Sequence, residues 1–317
     1  MKDKRLTTTL ISAATLMLAT PTWASEIPQQ CQTVDFAEVG WTDITATTAT
    51  SRWVLEAMGY QTTSQTVSVP IAYAGLENHD FDVFLGNWMP SMASIIEPYT
   101  QKGTVETIRA NLTGAKYTLA VPQYVYDAGV HSFSDLAEHR RQFNGRIYGI
   151  EAGNDGNRII QSMIDDNAFD LKRFNLIESS EAGMLAEVKH STEHNDWIVF
   201  LAWEPHPMNT RFDMAYLEDG DDYFGPNYGE AKVYTNTRAH YSQDCQNMGR
   251  FLNNLSFTLS MENQIMADIM YHEVEPMVAA KAWLKSNPAV LDQWLKGVTT
   301  VNGEAALPAV KAALSQD

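Results

Sequence analysis

The chain has 317 residues, of which 44% are hydrophobic and 19% charged, and carries a net charge of −17. That length suits two domains, each able to bury its own core. The acidic balance argues against nucleic acid and anionic membranes as partners and mildly favours cations, although most of those charges serve solubility.

Residues 1–24 read as a secretory signal peptide. Lys2, Lys4 and Arg5 form a basic head, Leu10 to Ala19 is mostly apolar, and Thr22 and Ala24 supply the small residues of a cleavage site. The apolar run is too short, and too interrupted by Thr and Ser, for a spanning helix of about 20 residues. Those 24 residues hold three basic side chains and one acidic one, so their removal takes the net charge from −17 to −19. An exported, soluble product is expected. In an oxidising compartment Cys31 and Cys245 are expected to form one structural disulfide.

Strands then alternate with helices. Thr33–Val39 predicts a strand, and a helix from Ile44 to Met58 follows, stopped by Gly59. Thr62–Val69 alternates like a strand, Pro70 opens a short helix, Phe81–Leu85 is a strand, and a helix covers Met92 to Lys102. A second set begins near Ala115, with Lys116–Val121 as a strand and a short helix at Ser134–Glu138 capped by Ser134. Arg146–Glu151 is a strand, and Gly153-Asn154-Asp155-Gly156-Asn157 turns the chain into a helix ending at Asp165. Phe174–Ile177 (strand), Ser180–His190 (helix) and Trp197–Trp203 (buried strand) complete that set. Strand signals return at Met214–Leu217 and Lys232–Thr237, and the remainder reads as helical. Such alternation implies parallel sheets in an α/β fold. The organisation expected is a first lobe from residues 25–112 and 209–317 and a second from 113–208, hinged around a cleft.

Four aromatics fall at strand ends or the turns beside them: Trp41, Trp88, Tyr117 and Trp203. Two lie in each expected lobe, so closure would bring them around one ligand. Ring faces attract cations, and a cage of rings suits a quaternary ammonium, which has methyls to pack and no proton to donate. Any one of these rings could equally be core. Trp53, Trp197, Trp283 and Trp294 are read as packing. Asp43 offers the cation an anion and an acceptor, yet it also stands where it could cap the helix starting at Ile44. Asn154 could likewise only shape its turn. Glu204 and His206 read as loop or hinge residues, and the acidic run Glu218–Asp222 as a solvated turn, since it lacks the pattern of a calcium loop. No serine elbow, phosphate loop or dinucleotide fingerprint is present, so no cofactor, metal or catalytic residue is expected.

VGWTDITATTAT, FLGNWMPSM, GAKYTLAVP, GIEAGNDGN and FLAWEPHPMN, in this order, resemble the choline-binding periplasmic proteins of ABC transporters, within the wider glycine betaine family. The resemblance covers essentially the whole mature chain. It implies a two-lobed type II periplasmic binding fold and an aromatic box of Trp41, Trp88, Tyr117 and Trp203. It also implies that Asp43 and Asn154 bind the alcohol group, and it supports the Cys31–Cys245 disulfide. The partners it implies are choline, with acetylcholine as a further candidate, and a membrane permease; the chain would be a periplasmic monomer. A betaine site should offer cationic groups or backbone N–H groups to the carboxylate, so Asp43 favours choline. Other readings are a glycine betaine or carnitine binder of the same fold, an exported choline-ester hydrolase, and a sensor that docks on a chemoreceptor.

Overall fold

The computed structural model describes residues 27–316, so the signal-peptide segment lies outside the described residues. Its framework is one nine-stranded mixed sheet. The strands are β1 (Thr33–Glu38), β2 (Gln61–Thr66), β3 (Val83–Met89), β4 (Val105–Pro122), β5 (Arg146–Tyr148), β6 (Asn175–Ile177), β7 (Phe200–Glu204), β8 (Met214–Tyr216) and β9 (Glu230–Arg238). They run in the order β2-β1-β3-β9-β4-β7-β5-β6, with β8 paired to β4 off that path. Strands β2, β1 and β3 are parallel, as are β7, β5 and β6. Between these two blocks run β9 and β4, antiparallel to each other and to their outer neighbours.

Among the described residues the longer helices are α1 (Thr42–Ala57), α2 (Val69–Asn78), α3 (Ala93–Lys102), α4 (Asp155–Asp165), α5 (Glu181–His194), α6 (Gln246–Asn254), α7 (Leu259–Tyr271), α8 (Pro276–Ser286) and α9 (Ala306–Leu314). Helix α1 shows why local propensity is a weak guide here. It is rich in threonine, which competes with helical backbone bonding. In α1 the hydroxyls of Thr47, Thr50 and Ser51 instead return to carbonyls one turn back, at 2.7–3.1 Å. With those hydroxyls satisfied, the small side chains can be buried, and α1 packs against α7 and α8.

Beyond shifted element ends and added short helices, the structure departs from the expected elements most clearly in two places. Strand β4 is 18 residues long, whereas only its second half reads as a strand in the sequence. Its pairing with β9 slips at Thr107/Arg109, Ala110/Leu112 and Thr113/Ala115. Each slip changes which face turns inward, so the period-two alternation that marks a strand is lost. The short helix near residue 135 is capped by Ser132, not Ser134: Asp135 Oδ2 accepts from the Ser132 N–H at 2.8 Å in a capping box.

Cys31 and Cys245 are bonded, with Cα atoms 5.4 Å apart. The bridge fastens the approach to β1 to the segment entering α6.

Candidate functional site

Two residues after β1 comes Gly40, whose φ of +78° makes the tight turn into α1. This turn delivers Trp41 and Asp43 to the carboxyl end of the strand, where open α/β sheets hold ligands. Trp88 is the next-to-last residue of β3, while Tyr117 and Trp203 are direct cross-strand partners on β4 and β7. The sheet order thus places rings from both parallel blocks beside one another.

They line one small cavity, whose walls are Trp41, Asp43, Trp88, Tyr117, Ile150 and Trp203. Ring centroids are 5.7 Å apart for Trp88 and Tyr117 and 6.4 Å for Tyr117 and Trp203. All four rings are buried, none more than 6% exposed. Phe224, in the acidic turn after β8, backs the Tyr117 ring edge-on at 6.0 Å.

Asp43 is 1% exposed. Its Oδ2 accepts from Trp88 Nε1 at 3.2 Å, while Oδ1 has no hydrogen-bond partner. It does not cap α1, because the cap position belongs to Trp41. Burial, and then the nearby charge of Glu181, push the Asp43 carboxyl up to about 8. Burial likewise raises Glu151 to about 7 and Asp155 to about 6. Among the described residues no Lys or Arg lines the cavity. Raised values of this kind mean that the carboxyls in and beside the pocket give up their protons more readily when a cation is placed beside them.

Asn154 lies outside the cavity walls and is the cap of α4. Its Oδ1 accepts from the Asn157 N–H at 2.8 Å and its Nδ2 donates to the Glu151 carbonyl at 2.6 Å. One N–H of that amide is left over. Trp53, Trp197, Trp283 and Trp294 all lie away from the cavity, and Trp294 is fully buried in the core.

Three side chains beside the box carry no signal that the sequence reading used. Glu151 Oε1 accepts from Trp41 Nε1 at 2.9 Å. Glu181 accepts from the N–H and hydroxyl of Thr42. His206 does lie in the loop after β7, as expected, but it is buried, with its ring edge-on to Trp203 at 4.9 Å. Glu204, by contrast, forms a partly exposed ion pair with Lys116 at 3.3 Å. The EPHP stretch held a hint of His206; Glu181 looks like any first-turn helical acid.

The model of the substrate binding domain of ABC-type glycine betaine transport system matches residues 32–286. The chain is 62% identical over 159 residues to the uncharacterized protein ORF1 of Chromohalobacter salexigens, covering 50% of this chain and 98% of that one. An ABC-transporter choline binding protein solved in complex with choline superposes with a TM-score of 0.90 at 54% identity, covering 91% of this chain and 100% of that chain. A structure of such a choline binding protein in an unliganded semi-closed conformation gives a TM-score of 0.84 at the same identity and coverage. The α/β architecture described above is therefore that of a periplasmic binding protein, and the chain belongs to the family of substrate-binding domains of ABC-type glycine betaine transport systems.

Proposed function

We propose that this chain captures choline in the ring-lined cavity and hands it to the permease of an ABC transporter. The observation that carries this reading is the convergence of Trp41, Trp88, Tyr117 and Trp203 on one cavity whose only charged wall is Asp43. A quaternary ammonium gains about 0.5–2 kcal/mol from each ring. Four rings supply several kcal/mol, enough for roughly micromolar binding once association costs are met. Asp43, with one oxygen uncommitted, accepts the ligand's hydroxyl and balances the cation. Asn154 contributes its spare amide N–H to the ligand oxygen.

The lobes that close on choline divide near residues 112 and 208 in this reading. The pairing of β8 with Ala120–Pro122 of β4 favours carrying the second lobe onward to β9. The protein works as an exported periplasmic monomer, led out by residues 1–24, and acts by binding alone. Among the described residues no helix is long and apolar enough to cross a membrane.

Calorimetry with choline, acetylcholine, glycine betaine and carnitine tests the reading, with choline expected to bind most tightly. Tighter binding of glycine betaine, which the family description favours, would overturn the specificity. Release of acetate from acetylcholine would overturn the transport role in favour of a hydrolase.

A further inference from the structure

The first N–H groups of a helix have no partner within it, and Trp41, at the cap position of α1, offers no side-chain acceptor. The acceptor for Thr42 arrives from 139 residues away. Glu181, the first residue of α5, takes the Thr42 N–H on Oε2 at 2.9 Å and the Thr42 hydroxyl on Oε1. A third donor comes from the end of β7. The Met208 N–H donates to His206 Nδ1 at 2.9 Å, so the proton of the neutral ring sits on Nε2, which faces Glu181 Oε1 at 3.3 Å. Glu181 and His206 are 5% and 1% exposed. One buried carboxylate therefore joins the helix that carries Trp41 to the strand end that carries Trp203.

The geometry points to Glu181 as a closure latch, a positioning residue that does not line the cavity but holds the opposing indoles at their closed spacing and so sets how long the ligand stays. The inference rests on the reading that a ligand is enclosed between the two halves. A carboxylate suits the post: three donors converge on two acceptor oxygens, and a negative charge at a helix N-terminus is favourable. An amide would replace one acceptor with a donor and set N–H against N–H. Separating the halves breaks the Thr42 contacts, so their loss weakens only the closed state. The penalty then appears in dissociation, while association, which starts from the open state, is spared.

Stopped-flow tryptophan fluorescence with choline, on wild type, Glu181→Gln and Glu181→Ala, tests this. Loss of buried acceptors should raise koff about tenfold or more. The rate kon should stay nearly constant, the preference order among quaternary ammonium ligands should hold, and the Tm of the ligand-free protein, which loses only the His206 contact, should fall less than that of the choline-saturated protein. An unchanged koff overturns the latch, as does a ligand-free Tm that falls as far as the choline-saturated one, which would mark Glu181 as merely structural. If wild type ignores choline, the proposed function fails by itself, and the latch is read without ligand. Fluorophores at Asn78→Cys on α2 and His190→Cys on α5 report the closed fraction by energy transfer; a smaller closed fraction in Glu181→Ala supports the latch and an equal one overturns it.

Discussion

A methylated nitrogen cannot donate a proton to a carboxylate, so in the proposed complex rings and acids around this cavity would divide the recognition between them. The rings would contribute contact and quadrupole attraction, and the acids charge at longer range. Trp41→Ala or Trp203→Ala should each weaken choline binding by about 1–3 kcal/mol, combining lost cation–π attraction with a cavity; unchanged calorimetric affinity would remove that ring from the box. The acids make a separate prediction. With Asp43 raised to about 8 and Glu151 to about 7, both by burial first, the ligand-free site holds protons near neutrality. A fixed cation favours the ionised forms. Binding should therefore expel protons, and affinity should rise as pH climbs from about 6 to about 8. Calorimetry at pH 7 in buffers of differing ionisation heat measures that release, and buffer-independent heats would refute it. Trp41, Asp43, Trp88 and Trp203 were legible as cavity walls because they stand at or just after strand ends, whereas Tyr117 lies inside the long β4 and was placed by the resemblance. Glu151, Glu181 and His206 were not, because each matters only through a neighbour that the fold brings from far along the chain.

The helix that begins at Asp155 meets the box with no room to spare. A Cβ on Gly156 would fall 2.3 Å from Tyr117 Oη and 2.6 Å from Leu201 Cδ2. Only a residue without a side chain lets the first turn of α4 approach the ring so closely. Gly156→Ala should displace Tyr117, lowering stability by about 1–3 kcal/mol through overpacking and choline affinity with it. Thermal melting and calorimetry on the same sample would check both; a variant that loses neither would show that the ring can shift freely. The turn GNDGN announced this helix plainly, and the alternation of strand and helix announced the parallel blocks. The first half of β4 stayed hidden behind its three slips in register, a long-range pairing effect with no local signature.

Across the whole molecule the Cys31–Cys245 bond closes a loop of 214 residues. Its loss, by Cys31→Ser with Cys245→Ser, should cost about 2–5 kcal/mol of stability in denaturant titrations while leaving choline affinity unchanged, since the bond lies away from the cavity. Two cysteines in a chain whose first residues read as a signal peptide made that bond legible, as the strand–helix alternation did the α/β class. The single continuous sheet was not, because sequence order does not reveal that β9 returns from more than 100 residues further on to lie beside β4. That return has a mechanical consequence. Two antiparallel strands run from one block into the other, so the opening proposed for the cleft would bend a shared ribbon and not unhook separate modules. Neither block can be excised as a self-sufficient fragment, for each would take with it the backbone that finishes the other.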